Sequence, residues 1–348
     1  MIVEECDQQS CLVADNCFEK IDPTTLKWRT RPFEAPESIR EEENIFKVDD
    51  VLTSVEYFCS FFDTRIIDSI RKHTELYGLQ KYGIELKCTD ADIRRYIGIL
   101  LYLGILKLPQ LKTAWSKDLK LTAITDSTPR GRFEKIKKCL HFNDNTKQLK
   151  KEDLNYDKLY KIRPLLNIFK ENFGKLPQED HQSVDEQIIA IKVAGRSSFK
   201  QYNPVKPHKW GLKIFTRAGT SGLVYDFTPY VGEGTCPSYG LGISSDVVLY
   251  LAQGLPKDRL YFDNWFTSVS LLISLKKMGS FATGSVRKNR ISNCQMLSDA
   301  KFKNRGKGSF DMKCDINHNL VCVKWFNNKP VQLISSCEDH QHVGICKR

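Results

Sequence analysis

Residues 183–191 read SVDEQIIAI and residues 259–268 read RLYFDNWFTS, and these two stretches decide the fold. Each is a strand-like apolar run with one conspicuous carboxylate, Asp185 in the first and Asp263 in the second. Placing a carboxylate in or at the end of a central strand costs free energy unless it is paired or binds a cation. Both residues are therefore functional candidates, although Asp185 could also be a half-exposed strand residue beside Glu186, and Asp263 could start a turn.

The surrounding pattern predicts a mixed α/β fold with helices covering a sheet. After residue 178 we expect strands over residues 182–192, 210–217, 223–231, 259–262 and 281–287, with helices between the last three. Beyond residue 301 we expect further strands over residues 308–314, 320–326 and 330–335. Three antiparallel strands followed by helix-linked ones is the order of ribonuclease H-like nucleases and integrases. In that order the first and fourth strands are neighbours, so Asp185 and Asp263 would converge on divalent cations, for which Mg²⁺ is the natural choice.

The chain before this sheet is predicted to be helical. Phe58, Phe62, Ile66 and Ile70 recur every fourth residue and predict one helical face. Another helix is expected to begin at Thr89 or Asp90, because both residue types cap helices. By contrast, the first 45 residues are acidic, contain several prolines and show little periodicity, which predicts a mostly flexible leader.

Charge is unevenly distributed along the chain. The net charge is +11, but residues 1–60 contain 6 Lys and Arg against 14 Asp and Glu, which leaves 47 and 28 for the rest. A strongly basic body attracts polyanions by counterion release, and nucleic acid is the commonest one inside cells. On charge alone, a merely soluble basic protein is an equal alternative.

Two basic runs are candidate DNA-binding segments. Residues 192–217 contain no Asp or Glu, and their basic residues are Lys192, Arg196, Lys200, Lys206, Lys209, Lys213 and Arg217. Phe199, Tyr202 and Trp210 are interleaved with them and could stack on unpaired bases while the cations contact phosphates. The second run covers residues 287–290, with Arg287, Lys288 and Arg290, and then residues 301–307. Solvated charged loops are the alternative interpretation of both runs.

Other features exclude several classes of protein. The longest apolar run, residues 96–106, is shorter than a membrane span, and the N-terminus is acidic where a signal peptide would be basic. The twelve cysteines include no CxxC pair, so we expect reduced thiols and no zinc ribbon. We therefore expect an intracellular, soluble protein with no membrane partner and no small-molecule substrate.

Five stretches in consistent order resemble the transposase domain of the piggyBac family. They are SVDEQ at 183–187, NPVKPHKWGLK at 203–213, YVGEG at 230–234, YFDNWFTS at 261–268 and NNKPVQLIS at 327–335. The resemblance implies a nuclear, cut-and-paste DNA transposase with a ribonuclease H-like core and the target TTAA. It assigns two catalytic, metal-binding aspartates to Asp185 and Asp263, and matches Asn264, Lys206, Lys209 and Lys213 to family motif positions.

The resemblance also implies a division of the chain. We expect a leader over residues 1–45, a helical dimerisation and DNA-binding region over 46–178, a ribonuclease H-like core over 179–300, and a β-rich insertion segment with a C-terminal tail over 301–348. Partners would be DNA and a second copy in a homodimer.

One departure from the family pattern puts catalysis in doubt. The family's third aspartate lies on a helix after the insertion, in a GVDxxDQ-like motif, and no such motif occurs up to Arg348. Glu338 and Asp339 follow a predicted strand too soon to replace it. Cleavage by this polypeptide alone is therefore expected to be weak or absent. Three interpretations remain: a transposase completed by a longer native chain, a domesticated DNA-binding derivative that does not cut, and another metal-dependent nuclease of this fold.

Overall fold

The chain forms two structural units. The computed structural model describes residues 18–36, 51–119, 121–190, 200–204, 206–207, 209–255 and 259–339. The helical unit comprises Val48–Leu176, and the sheet unit comprises Met1–Lys47 together with Pro177–Arg348.

Helices with well-defined caps build the helical unit. Their buried faces form one apolar core, which includes Ile66, Ile93, Tyr96, Phe133 and Ile136. The helix predicted to begin at Thr89 or Asp90 has Thr89 as its N-cap, in a reciprocal capping box with Asp92. The described helices of this unit are α1 Ser54–Phe61, α2 Thr64–Tyr82, α3 Asp90–Leu106, α4 Thr122–Thr125, α5 Arg130–Cys139 and α6 Arg163–Gly174.

The apolar series from Phe58 to Ile70 does not form one helix. Helix α1 ends at Phe61 and α2 begins at Thr64, because Asp63 accepts a hydrogen bond from the backbone N–H of Ile66 at 3.1 Å and so caps a new helix. The four-residue spacing of apolar residues therefore spans two separate helices. The prediction of a single helical face was wrong here.

The sheet unit alternates strands and helices as predicted after residue 178. Strands over 259–262, 320–326 and 330–335 have the predicted bounds, whereas the first, second, third and fifth predicted strands differ by a few residues at one or both ends. The described elements are β1 Trp28–Arg29, β2 His181–Ala190, β3 Gln201–Tyr202, β4 Trp210–Gly219, β5 Val224–Pro229, α7 Ile243–Leu251, β6 Arg259–Phe262, α8 Val269–Lys277, β7 Phe281–Ser285, α9 Asp299–Arg305, β8 Phe310–Asp315, β9 Leu320–Phe326 and β10 Pro330–Ser335.

One mixed sheet contains all the described strands. The strand order is β1-β8-β9-β10-β7-β6-β2-β4-β3, and β5 pairs with β4. Strand β6 pairs in parallel with β2 and β7, while the other pairs are antiparallel. Because β10 pairs with β7, the β-rich segment expected after residue 301 extends the sheet of the core.

Residues of β2 alternate between the two faces of this sheet. Val184 is buried in a core with Leu260, Phe262 and the apolar sides of α7 and α8, whereas Ser183 and Asp185 are exposed. Side chains alternate along a strand, so Asp185 points to the face opposite that core. The fold thus leaves the first candidate carboxylate accessible to solvent.

Residues 18–36 differ from the flexible leader expected from their sequence. Leu26 and Trp28 are buried in the sheet unit's core, and β1 pairs with β8 at the edge of the sheet. The backbone N–H of Lys27 donates to a carboxylate oxygen of the fully buried Asp315 at 2.5 Å. A strand of two residues has no detectable periodicity, which is why the sequence pattern missed it.

Within the described residues, no helix is long and apolar enough to cross a membrane.

Candidate functional site

The pairing of β2 with β6 brings the two candidate aspartates to neighbouring positions. The last pair in the parallel ladder is Val184 with Phe262, so Asp185 and Asp263 are the next residue on each strand. Neighbouring strands lie about 4.8 Å apart, and residues at the same level of a parallel pair point to the same face. The prediction that the first and fourth strands lie side by side is confirmed.

Backbone N–H groups hold one oxygen of each carboxylate. Asp185 Oδ1 accepts from the N–H of Glu186 at 2.7 Å, and Asp263 Oδ1 accepts from the N–H of Trp265 at 2.8 Å. Both aspartates are exposed. Asp263 therefore does begin a turn, as the alternative interpretation proposed, but this turn coexists with a position beside Asp185.

Glu186 is a third carboxylate near this pair, and its role was not foreseen from the sequence. Its pKa is raised, first by burial and then by the neighbouring carboxylate of Asp185. The ammonium of Lys206 lies 3.8 Å from Glu186 Oε1 and donates to the Glu186 carbonyl oxygen at 3.2 Å. A glutamate on the inward side of a strand, between Val184 and Ile188, was the available sequence signal.

Lys213 lies among aromatic rings close to the same carboxylates. Its Nζ is 4.3 Å from the ring centroid of Trp265, 4.7 Å from that of Phe215 and 5.8 Å from that of Tyr230. Burial lowers the pKa of the Lys213 ammonium, and the charges of Glu186, Asp263 and Asp185 oppose that shift. The lysine is half-buried, in contrast to the solvated cation expected from its place in a basic run.

The donor set suits Mg²⁺ only in part. Exposed carboxylate oxygens at adjacent strand ends are ligands that Mg²⁺ prefers, and this ion commonly takes one or two carboxylates and completes its shell with waters and substrate phosphates. In the part of the chain that the structure describes, no three His, Cys, Asp or Glu side chains gather as a metal site. Asp185 and Asp263 therefore fit a magnesium ion that also binds a phosphate group.

Glu338 does not complete this set. The hydroxyl of Tyr261 donates to Glu338 Oε1 at 2.8 Å. However, Ser335 pairs with Thr283, and Thr283 pairs with Tyr261, so the chain after Ser335 runs towards the beginning of β6. Glu338 thus lies towards the beginning of β6, whereas Asp263 follows its end.

The first basic run presents an exposed aromatic platform. Tyr202 pairs with Trp210 across β3 and β4, and their ring centroids are 4.7 Å apart. The two side chains are 53% and 48% exposed. Lys200 Nζ lies 4.7 Å from the Trp210 ring centroid, and Lys209 is exposed next to it. Lys192, Arg196 and Phe199 of this run lie outside the described residues.

The arginines of the second basic run contact the loop after Asp263. Arg287 Nε donates to Asn264 Oδ1 at 3.0 Å. A single nitrogen of Arg290 donates to the carbonyl oxygens of Asn264, Trp265 and Thr267, at 3.2, 2.7 and 3.0 Å. The structure therefore gives Asn264, Arg287 and Arg290 intramolecular contacts, while Lys288 is exposed.

The strand order and the carboxylates on adjacent parallel strands are those of a ribonuclease H-like fold. A family model described as "Transposase IS4" matches residues 53–348. The chain has the fold seen in a cryo-EM structure of the piggyBac transposase synaptic complex with hairpin DNA. That match has a TM-score of 0.67 and 22% sequence identity, and covers 85% of this chain and 63% of the other.

Two proteins of Homo sapiens show which members of this class the chain is similar to. PiggyBac transposable element-derived protein 3 is 31% identical over 294 residues, and PiggyBac transposable element-derived protein 2 is 30% identical over 306 residues. The matches cover 82% and 85% of this chain, but 48% and 50% of the relatives, so the chain spans about half their length. The chain belongs to the piggyBac family of transposases.

Proposed function

We propose that this chain is a piggyBac-type DNA-binding protein, derived from a cut-and-paste transposase, with an incomplete metal site. The observation that carries the proposal is the parallel register of β2 with β6, which puts Asp185 and Asp263 side by side. Further along the same sheet, β3 and β4 carry exposed aromatic and basic side chains. DNA is the partner that suits both features.

The DNA-binding surface would combine two kinds of contact. Tyr202 and Trp210 would stack on bases, while Lys200, Lys209 and the exposed Lys288 would neutralise phosphates. Lys206 lies beside Glu186 and would contribute its charge close to the carboxylates. The same fold in a transposase bound to hairpin DNA supports this proposal.

Asp185 and Asp263 would hold Mg²⁺ together with a DNA phosphate. An ion held by these two aspartates would supply positive charge for phosphodiester exchange. Within the residues described, no group of three His, Cys, Asp or Glu side chains is arranged to hold a metal ion. We therefore propose that this chain binds DNA firmly and cuts it weakly or not at all.

A nicking assay with TTAA-flanked DNA ends and Mg²⁺ separates a binding derivative from an enzyme. We expect binding that weakens steeply with salt and little nicking. Robust Mg²⁺-dependent nicking that Asp185→Ala abolishes would instead establish a metal-dependent nuclease, as required of an active transposase. Ser183→Ala, an exposed change two residues earlier on the same face, is the matched control. Affinity that barely changes between low and moderate salt would contradict the proposed DNA surface.

Two expectations about the chain's context follow from this function. The proposed place of action is the nucleus, because its partner is DNA.

We also propose a homodimer, since Leu101 and Ile105 on α3 are 54% and 77% exposed, which is unusual for large apolar side chains. Light scattering at micromolar concentration tests this: we expect a dimer that Ile105→Glu converts to a monomer, and a wild-type monomer would exclude it.

A further inference from the structure

Lys213 is packed differently from the exposed lysines of its basic run. Its ammonium lies within 6 Å of the ring centroids of Trp265, Phe215 and Tyr230. Aromatic faces attract cations, and the attraction strengthens as water is removed. The backbone also fixes this corner, because the N–H of Tyr230 donates to the Lys213 carbonyl oxygen at 2.8 Å. Three rings therefore hold a positive charge at a defined position.

The aromatic cluster is connected directly to the loop that carries Asp263. The Trp265 ring stacks on Phe215, with centroids 5.6 Å apart and an interplanar angle of 16°. The backbone N–H of the same Trp265 donates to Asp263 Oδ1 at 2.8 Å. The residue that holds the Lys213 ammonium thus also orients the carboxylate, which fixes the cation and the carboxylate relative to each other.

Three carboxylates act on this ammonium. Glu186, Asp263 and Asp185 all attract it electrostatically, while Lys206 repels it. A divalent cation that binds Asp185 and Asp263 must enter the field of this fixed positive charge. Like charges repel, and the repulsion is larger in partly buried surroundings than in water. The lysine therefore disfavours the very ion that the aspartates attract.

We propose that Lys213 is a resident counter-cation of the carboxylate site, which weakens metal binding in the free protein and makes metal uptake depend on DNA. This inference rests on the proposed function, in which Asp185 and Asp263 hold the metal with a DNA phosphate. A phosphate near Asp263 would neutralise the Lys213 charge and supply a metal ligand. Binding of DNA and binding of metal then strengthen each other, as linkage requires.

Mn²⁺ binding measured by electron paramagnetic resonance of the free ion tests this inference without any need for cleavage. We would titrate wild type, Lys213→Met and Lys213→Arg with Mn²⁺, alone and with a short DNA duplex. We expect Lys213→Met to bind Mn²⁺ about three- to tenfold more tightly than wild type in the absence of DNA. The arginine variant keeps the charge and should stay within about twofold of wild type.

Lys324→Met is the matched control. Lys324 also lies over an aromatic ring, 5.2 Å from the Phe302 centroid, and pairs with Asp299 at 2.6 Å. It lies on β9, which is separated from β6 by β10 and β7. Removing the Lys324 charge should leave Mn²⁺ affinity unchanged. In Lys213→Met, by contrast, DNA should increase Mn²⁺ affinity by a smaller factor than it does in the wild-type protein.

Three outcomes separate the inference from the function beneath it. Unchanged or weaker Mn²⁺ binding by Lys213→Met overturns the counter-cation role, provided that the single substitution Asp185→Asn abolishes the Mn²⁺ binding seen with the wild-type protein. Equal tightening by Lys324→Met would also overturn it, because the effect would then be general. If Asp185→Asn and Asp263→Asn left Mn²⁺ binding unchanged, both with and without DNA, the proposed metal site and this inference would be overturned together.

Discussion

Exposed lysines of the first basic run and Arg290 of the second lie in different surroundings. Around β3 and β4, Lys209 is exposed and Lys200 lies over the exposed Trp210. After β7, by contrast, Arg290 places one nitrogen on three carbonyl oxygens of the loop that follows Asp263. The second run has backbone acceptors within reach, and a guanidinium satisfies them well because its donors are rigidly arranged. Neighbouring acceptors, more than the charge itself, decide whether a basic run faces a partner or the protein.

Replacement of Arg290 should produce the largest effect on stability. Arg290→Met removes a charged donor shared by three carbonyl oxygens, and hydrogen bonds to charged groups contribute about 1.5–3 kcal/mol. We expect the free energy of unfolding to fall by about 2–3 kcal/mol in urea denaturation. Lys288→Met, two residues earlier and exposed, should change it by less than about 0.5 kcal/mol. Equal effects of the two substitutions would remove the proposed difference between the runs.

Replacement of Trp210 should produce the largest effect on DNA affinity among surface changes in the first run. A stacked base contributes about 1–3 kcal/mol, so Trp210→Ala should weaken binding to single-stranded DNA roughly 5- to 150-fold. Trp325→Ala is the control, because Trp325 is 43% exposed on β9, away from this platform. If fluorescence anisotropy gave the same loss for both tryptophans, the platform around Tyr202 and Trp210 would have no special role.

The smallest effect is expected for a single exposed lysine. Lys209→Ala should reduce the slope of log affinity against log salt by about one, since one phosphate contact is lost. Folding should be unaffected. Lys329→Ala, an exposed lysine in the turn between β9 and β10, should leave the slope unchanged. An unaltered slope for Lys209→Ala would mean that this part of the first run does not contact the backbone of DNA.

The interiors of the strands were predictable because alternation of apolar and polar residues is a local property. The strand over residues 259–262 has the predicted bounds, as do those over 320–326 and 330–335. The two-residue strands β1 and β3 were missed, since so few residues carry no periodicity and each strand depends on its partner. The break between α1 and α2 was also missed, because a capping aspartate at position 63 interrupts an apolar series that otherwise continues.

The candidate site was predictable only where one residue type was unusual for its position. Asp185 and Asp263 were recognised as carboxylates in apolar strands, and the pairing of β2 with β6 makes them neighbours. Glu186 was not distinguished from an ordinary charged residue, and Lys213 was identified only as a DNA-binding candidate of the basic run. Their surroundings come from Lys206, Trp265 and other residues distant in sequence, which no local pattern reveals.

The longer strands, the carboxylates within them and the strongly basic body of the protein can all be recognised in the sequence. Which of those charges meet depends on the fold, in which a parallel register aligns residues 185 and 263, three rings surround Lys213, and Arg290 binds backbone carbonyl groups. The difference arises because the two kinds of interaction differ in range. Strand formation depends on neighbours a few residues away, whereas the energy of a charge depends on whatever the fold brings within a few ångströms.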